Sequence, residues 1–271
     1  MISTPSSRDH SEVDLGPAAG VSDRGLRHHR NEDAMAMAAE QSPNGPMVVA
    51  VVCDGVSSSS RPDEASQAAV LAALPVLVAA VQAGNDLAAA SRASVSAARE
   101  AIAALAEPVG DTSATTFVSV VASGYEVTMC WLGDSRAYWL AQPESQSRQL
   151  TQDDSVAGGM VAAGLADQAA ALASPHAHVL TRWLAGDPAD SPDRAPHVER
   201  YTPPGPGALL VCSDGLWNYL PEAADLAALA LPKALDDPLG AAVDLVNFAV
   251  DAGGADNITA VLIPYQAPET S

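Results

Sequence analysis

The chain is poor in positive charge. Its 271 residues include 13 Lys and Arg against 33 Asp and Glu, which gives a formal net charge of −20. A field of that sign repels nucleic acids and anionic membrane surfaces, so neither is an expected partner. Solubility is one explanation for so many acids. A more specific explanation is that some of the carboxylates converge on cations.

Cysteine and aromatic residues are also scarce. Cys53, Cys130 and Cys212 all lie inside apolar runs, and an odd, sparse set does not make a disulfide framework. Aromatic residues make up only 4% of the chain, so the core must consist mainly of Ala, Val and Leu. The tryptophans are expected to pack in that core or on a sheet face rather than to form a stacking platform, namely Trp131, Trp139, Trp183 and Trp217.

Long uninterrupted hydrophobic runs are missing as well. No stretch reaches about 18 apolar residues without a charge or a proline, so we expect no transmembrane helix. The first residues are polar and acidic, unlike a secretory signal, and the cytoplasm is the expected location. We predict a disordered tail over residues 1–18, a single domain over 19–265 and a loose tail over 266–271.

Strand patterns come in groups. Residues 47–53 are apolar and rich in Val, which predicts a strand. Residues 112–141 are rich in β-branched and aromatic residues, with a turn signal at Ser123–Gly124 and a break at Gly133–Asp134. That second stretch predicts an antiparallel meander of three strands.

Helical patterns stand apart from these strand groups. Pro62–Val81 is rich in Ala, Leu and Val and predicts a helix that Pro75 kinks or splits. Residues 86–106 predict a second helix, and Pro238–Val250 predicts another. Because strands and helices are segregated rather than alternating, the pattern favours an α+β fold.

Acidic residues stand where apolar strands end or where the neighbouring turns begin. Asp54 closes the run "VVAVVCDG" and Asp214 closes the run "ALLVCSDG". The other acids in such places are Glu32, Asp33, Asp134 and Asp256. A single Asp of this kind is most simply a turn residue. Several carboxylates buried together, however, need neutralising, and carboxylate and carbonyl oxygens suit Mg²⁺ or Mn²⁺.

Six motifs in a fixed order carry a family resemblance. They are "SDRG…RNEDA", "VVCDG", "TSATT…WLGDSRAYWL", "QLT…VLTRWLAGD", "LLVCSDGLW" and "GGADNIT". Together they resemble the metal-dependent protein serine/threonine phosphatases of type 2C in their bacterial form, over residues 21–264. The resemblance implies a four-layer α-β-β-α sandwich of two antiparallel sheets flanked by helix pairs.

The same resemblance implies an activity and its partners. Phosphoserine and phosphothreonine on proteins would be hydrolysed by a hydroxide that bridges two divalent cations, Mn²⁺ or Mg²⁺. The implied partners are phosphorylated protein substrates and the serine/threonine kinase that modifies them. Asp54, Asp214 and Asp256 would form the catalytic set. Asp54 would bridge both ions, the carbonyl of Gly55 would join the second, and Asp214 and Asp256 would hold the first.

Three further acids and a segment receive roles from the resemblance. Asp33, together with Glu32, would reach the second ion directly or through water. Asp134 would hold a third, more weakly bound ion. Residues 152–180 correspond to a flap that lies beside the cleft and influences the choice of substrate.

Three positions depart from the family's pattern. His28, preceded by Arg27, stands where an Arg usually binds the substrate phosphate, so one of these two residues is expected to bind it. Ser57–Ser60 follow the first Asp-Gly and are expected to form a solvent-exposed loop, with phosphate or water binding as the alternative. Asn218 replaces an acid, and a neutral side chain there weakens a third ion.

Two alternatives stay open at this point. One is a non-enzymatic, phosphoprotein-binding relative, which His28 and the serine loop suggest. The complete acidic set argues against it, because a binding module has no need for two cations. The other is a metallophosphatase for a small phosphoester, since the choice of substrate depends on the flap and the loop.

Overall fold

Two antiparallel sheets form the centre of the computed structural model, which describes residues 2–3, 10–105, 113–123, 126–186 and 195–265. The strands are β1 (Ile2–Ser3), β2 (His10–Asp14), β3 (Ala19–Asp23), β4 (Asp33–Ser42), β5 (Gly45–Asp54), β6 (Ala114–Thr115), β7 (Phe117–Ala122), β8 (Val127–Leu132), β9 (Arg136–Ala141), β10 (Arg148–Gln149), β11 (Leu184–Ala185), β12 (His197–Tyr201), β13 (Gly207–Cys212) and β14 (Ile258–Tyr265). The helices are α1 (Pro62–Ala83), α2 (Leu87–Ala103), α3 (Val156–Ala162), α4 (Gln168–Leu172), α5 (Asp214–Trp217), α6 (Ala223–Ala234) and α7 (Pro238–Asp251).

These elements form four layers. The first sheet has the strand order β1-β4-β5-β7-β8-β12, and the second has the order β10-β9-β13-β14-β3-β2. Helices α1 and α2 pack on the first sheet, whereas α6 and α7 pack on the second. Buried apolar side chains fill all three interfaces between the layers. The predicted α+β sandwich of two antiparallel sheets flanked by helix pairs is therefore confirmed.

Both faces of the central strands are covered. In β5, Val49 and Val51 pack toward α1 and α2, while Val48 and Val52 pack between the two sheets. Successive side chains of a strand point to opposite faces. A strand with helices on one side and a second sheet on the other must therefore be apolar at every position, which explains the unbroken run before Asp54.

The predicted three-stranded meander is wrong in its third strand. Strands β7 and β8 do form an antiparallel pair, although the centre of their turn, residues 124–125, lies outside the described residues. Strand β9 then crosses to the second sheet and pairs with β13. Gly133 makes this corner with φ +104°, and a Cβ there would approach Thr116 to 2.8 Å. The corner places Asp134 between the two sheets.

The N-terminal region differs from the predicted disordered tail over residues 1–18. His10–Asp14 forms the edge strand β2, which pairs with β3, and Ile2–Ser3 pairs with β4. Val13 packs in the core between the sheets and is 7% exposed. One buried apolar residue and the hydrogen bonds of a sheet edge stabilise a segment whose own pattern is weak. The predicted C-terminal tail, residues 266–271, lies outside the described residues.

Helix α1 runs unbroken through Pro75 for 22 residues. Proline removes one helical hydrogen bond, but Pro75 lies on the exposed face, where water can bind the freed carbonyl. By length and composition this helix could also cross a membrane. In this structure its inner face, which includes Leu74 and Leu77, is buried against the first sheet and α2.

The packing of α1 predicts a difference between two leucines of the same helix. Leu77→Ala, at a fully buried position, should lower the free energy of unfolding by about 2–5 kcal/mol, because it leaves a cavity. Leu71→Ala, at a position that is 46% exposed, should change it by less than about 0.5 kcal/mol. Denaturant titration measures both values, and equal losses would contradict the assignment of α1 as a core helix.

Candidate active site

Strand register gathers the acids at one end of the sandwich. Asp33 and Asp54 are direct cross-strand partners at the ends of β4 and β5. In the second sheet, Cys212 pairs with Arg136; Asp214 opens α5 two residues after β13, and Asp134 lies two residues before β9. Asp256 lies two residues before β14, at the same end of the sandwich.

A cleft of about 420 Å³ opens at this end. Four of the predicted acids line it and are called here the acidic floor: Asp54, Asp134, Asp214 and Asp256. The residues that line the cleft beside them are Gly55, Val56, Ser57, Ser58 and Thr116. His178, Val179 and Leu180 line it from the end of the predicted flap, and Trp183 lines it from just beyond that end. The cleft therefore brings together the predicted acids of both sheets with residues of the predicted flap.

Asp33 lies behind the acidic floor and is held in one orientation. Its Oδ2 accepts hydrogen bonds from Ser213 Oγ and Thr259 Oγ1, both at 2.7 Å. Its Oδ1 is buried and has no hydrogen-bond partner among the described residues. Burial raises the pKa of Asp33 to about 7 against the effect of these two bonds, and the nearby charges of Asp256 and Asp214 add to the rise.

Asp214 shows the same combination of one bonded and one unbonded oxygen. Its Oδ2 accepts a hydrogen bond of 3.2 Å from the Asn218 amide, whereas its buried Oδ1 has no partner in the described part of the chain. Desolvation, followed by the charge of Asp256, raises its pKa to about 6. A buried carboxylate oxygen without a donor is costly, so this arrangement calls for a positive partner.

Two further carboxylates of the acidic floor, Asp54 and Asp134, are also destabilised in their charged form. Desolvation raises the pKa of Asp54 well above its ordinary value, and the charges of Asp33 and Asp214 raise it further. The pKa of Asp134 is raised well above its ordinary value in the same way, by burial first and then by Asp214. Mutual repulsion and loss of water thus act together on several acids, and a divalent cation would relieve both.

The donor set fits a hard cation. The available atoms are carboxylate and backbone oxygens, which Mg²⁺ and Mn²⁺ prefer. The backbone at Gly55 is packed too closely for any side chain, because a Cβ would approach the carbonyl oxygens of Pro62 and Glu32 to 2.4 Å and 2.8 Å. Within the described ranges, no group of three or more His, Cys, Asp or Glu side chains is arranged to hold a metal ion by itself. Mg²⁺ commonly takes only one or two carboxylates and keeps several waters.

Glu32 has other partners. Its carboxylate accepts hydrogen bonds from Arg30 Nε at 3.0 Å and from Ser57 Oγ at 2.6 Å. Its carbonyl accepts from Gly55 N at 3.0 Å and from Ser66 Oγ at 2.6 Å. Glu32 does not line the cleft, and its predicted role at the second ion would compete with the bonds to Arg30 and Ser57.

The serine loop is mostly exposed, as expected, but Ser57 has a role that the sequence reasoning missed. Its hydroxyl donates a hydrogen bond to the Glu32 carboxylate. Ser57 and Ser58 both line the cleft. Ser59 N donates to Val56 O at 2.7 Å, and Ser59 Oγ accepts from Ala114 N. No pattern in four consecutive serines indicates which hydroxyl meets an acid 25 residues away.

The predicted phosphate-binding residues lie at the rim. His28 Nε2 is 3.1 Å from Asp256 Oδ1, so His28 contacts the floor through that acid. Arg27 is exposed, and neither residue lines the cleft itself. Arg30 is a third cation nearby, and it pairs with Glu32 and with Asp63 at 3.4 Å.

Asn257 ties the loop before β4 to the site. Its Oδ1 accepts a hydrogen bond from Glu32 N at 2.7 Å. Its Nδ2 donates to Arg24 O at 2.8 Å and to Arg30 O at 3.1 Å. This side chain is 2% exposed, so it positions residues 24–32 relative to the neighbouring Asp256.

A buried arginine joins the flap to the floor. Arg136 donates to both oxygens of Asp153, at 2.9 Å and 2.7 Å, and Asp153 belongs to the predicted flap. The guanidinium of Arg136 stacks 3.6 Å from the Trp217 ring, and Trp217 Nε1 donates to Asp134 O at 2.9 Å. The ring of His178 stacks on Trp217 as well, at 5.8 Å.

Trp183 corrects one expectation about the core. Trp131, Trp139 and Trp217 are buried as predicted, but Trp183 is 40% exposed and lines the cleft. The prediction that Trp183 packs in the core is therefore wrong. Hydrophobicity alone predicts burial, whereas the position of Trp183 beside the floor depends on how the flap returns to β6.

The fold and the site define a class. A four-layer sandwich with acids of both sheets at one end is the arrangement that the motifs predict. The sequence matches the family model described as protein phosphatase 2C over residues 24–235. The chain therefore belongs to the protein phosphatase 2C family, and the resemblance inferred from the motifs is confirmed.

Individual relatives agree with this assignment. The chain is 30% identical over 259 residues to the serine/threonine protein phosphatase PstP of Mycobacterium tuberculosis, covering 90% of this chain and 44% of that protein. It is 28% identical over 247 residues to the serine/threonine phosphatase Stp of Listeria welshimeri, covering 89% and 92%. The chain thus spans less than half the length of PstP.

A solved structure matches over the whole domain. The catalytic domain of the serine/threonine protein phosphatase PstP, in complex with two manganese ions, superimposes with a TM-score of 0.72 and 27% identity. The match covers 92% of this chain and 98% of that one.

The contact between Asn218 and Asp214 predicts an effect on metal binding. Asn218→Asp replaces a hydrogen-bond donor by a further carboxylate beside Asp214, so the metal-free variant should unfold at a lower temperature through added repulsion. A cost of about 1 kcal/mol would lower the melting temperature by roughly 2–4 °C. With Mn²⁺ the variant should bind more metal per chain than the wild type.

Thermal unfolding with and without Mn²⁺, together with direct metal analysis, measures both effects. Asn218→Ala is the matched control, because it removes the donor without adding a charge, and its metal content should not rise. If Asn218→Asp bound no more Mn²⁺ than the wild type, Asn218 would not be the residue that weakens a third ion.

Proposed function

We propose that this chain is a metal-dependent phosphatase that hydrolyses phosphoserine and phosphothreonine on proteins. The observation that carries the proposal is the convergence of desolvated carboxylates at a cleft, with an unbonded buried oxygen on Asp214 in the cleft lining and another on Asp33 behind it. Membership of the family, and the names of PstP and Stp, support the same activity.

The proposed metal ligands are the residues that the family resemblance assigns, and the acidic floor contains four of them. Asp54 would contact both of two Mn²⁺ or Mg²⁺ ions, with Asp214 and Asp256 at the first and Asp33 and the Gly55 carbonyl at the second. Asp134 would hold a third, weaker ion. When bound, such ions supply an activated water and offset the charge of the phosphoryl group. The PstP catalytic domain was solved in complex with two manganese ions, which supports the two ions held by Asp54.

The surrounding residues fix the carboxylates before any ion arrives. Ser213 and Thr259 bind one oxygen of Asp33 and leave the other free, and Asn218 does the same for Asp214. Asp54 is fixed through its backbone, since Asp54 N donates to Thr116 Oγ1 at 3.0 Å and Asp54 O accepts from Thr116 N at 2.7 Å. Preorganised ligands of this kind lose little freedom on binding.

The proposed substrates are proteins that a serine/threonine kinase has phosphorylated, and the proposed location is the cytoplasm. The net charge of −20 favours neither nucleic acid nor an anionic membrane as a partner.

Turnover and metal dependence test the proposal together. With Mn²⁺ the chain should release phosphate from p-nitrophenyl phosphate and from phosphothreonine peptides, and EDTA should stop both reactions. Asp214→Asn should lower kcat/KM by at least about a hundredfold and reduce the bound metal, because it removes a ligand. Asp236→Asn, at an exposed position between α6 and α7, is the matched control and should change neither value.

Each alternative has its own outcome in this test. A folded chain without Mn²⁺-dependent turnover of any substrate would favour the phosphoprotein-binding relative. Turnover of p-nitrophenyl phosphate without release from peptides would favour a phosphatase for a small phosphoester.

The rim cations carry a separate prediction. His28 or Arg27 would bind the substrate phosphate, His28 from its position beside Asp256. The double variant His28→Ala with Arg27→Ala should raise KM for a phosphopeptide about tenfold, because a charge-assisted hydrogen bond contributes about 1.5–3 kcal/mol. Steady-state kinetics measures the effect, and an unchanged KM would exclude both residues from phosphate binding.

A further inference from the structure

The flap presents apolar side chains to the cleft. We call His178, Val179, Leu180 and Trp183 the flap wall, since they line the cleft together with the acidic floor. Val179 is 53% exposed and Trp183 is 40% exposed. A contiguous exposed apolar patch rimmed by polar residues commonly marks a ligand-binding groove. Here the exposed pair adjoins the acids to which the proposed function assigns the phosphoryl group.

One end of the flap wall is anchored next to Gly55. Trp183 directly precedes β11, whose Leu184 pairs with Thr115 of β6, and Thr115 also forms a bridge with Gly55. Leu184 is fully buried in the core beneath α2. Backbone pairing therefore fixes the position of Trp183 relative to the acidic floor.

The other end of the flap wall is anchored to α5 and to the base of the flap. The His178 ring stacks on Trp217 at 5.8 Å with an interplanar angle of 26°. Val156 N donates to Val179 O at 2.9 Å, and Thr181 N donates to Asp154 O at 2.8 Å. The flap wall is thus a preformed surface, and a ligand that packs on it does not have to order the segment first.

We infer that the flap wall binds an apolar or aromatic side chain next to the phosphorylated residue of a polypeptide substrate. This inference rests on the proposed function and narrows its substrate class. The floor is the part of the cleft suited to a phosphate, through the cations that its carboxylates attract. Val179, Leu180 and Trp183 carry no charge, so the adjoining part of the cleft suits an apolar group, and tryptophan is a frequent anchor of such contacts.

A pair of peptides tests the inference. Both contain the same phosphothreonine; one has Leu or Phe on each side of it, and the other has Gly at those positions. With Mn²⁺ the wild-type chain should hydrolyse the apolar peptide with a kcat/KM about tenfold higher, mainly through a lower KM. In Trp183→Ala the ratio between the two peptides should fall to within about twofold.

Two further variants serve as a second test and as a control. Val179→Ser removes the second exposed apolar side chain, and it leaves in place the backbone carbonyl that holds the segment, so it serves if Trp183→Ala disturbs β11. It should also lower the ratio. Leu165→Ala is the matched control: Leu165 is 76% exposed on the same flap but does not line the cleft, and the ratio should stay at its wild-type value.

The outcomes separate this inference from the proposed function. Equal turnover of both peptides by the wild type, or an unchanged ratio in both Trp183→Ala and Val179→Ser, would overturn the inference alone. An equal loss in Leu165→Ala would also overturn it, because the effect would then not belong to the cleft. Absence of Mn²⁺-dependent turnover of both peptides would overturn the proposed function, and the inference with it.

Discussion

The repulsion among desolvated carboxylates is the constraint on which the rest of this structure depends. Asp33, Asp54, Asp134 and Asp214 each lose water, and the charge of at least one other acid raises the pKa of each of them further. A fold tolerates such a group only where other contacts hold the backbone in place. The strand ends, the corner at Gly133 and the short helix α5 provide those contacts.

A second set of contacts connects the acidic floor to the flap. Arg136 binds Asp153 with two hydrogen bonds and stacks on Trp217, and Trp217 in turn binds the carbonyl of Asp134. The side chains of Arg136 and Asp153 are only 2% and 6% exposed. Loss of either side chain would therefore leave the charge of the other buried and unpaired. The flap is therefore attached to the floor by the most buried ion pair in the described part of the chain.

Much of this arrangement could be predicted from the sequence, because its signals are local. Apolar runs that stop at Asp54 and Asp214 identify strand ends and acids at once. What failed depends on distant contacts. The sequence of a strand that is apolar on both faces does not indicate which sheet the strand joins. The prediction that β9 continues the sheet of β7 and β8 is therefore wrong. The roles of Ser57 and Trp183 likewise depend on contacts with distant segments, Glu32 for Ser57 and β6 for the strand after Trp183. Hydrophobic periodicity does not predict such contacts.

The division of the acids between the two sheets links the cleft to the interior. Asp33 and Asp54 belong to the first sheet, whereas Asp214 and Asp256 flank strands of the second. Their separation is therefore set by the thickness of the layer between the sheets, about 10 Å in packed sheets, which side chains such as Met35 fill. A change of volume there, far from solvent, would change the spacing between the acids of the two sheets, so the size of these core residues bears on the geometry of the proposed metal site.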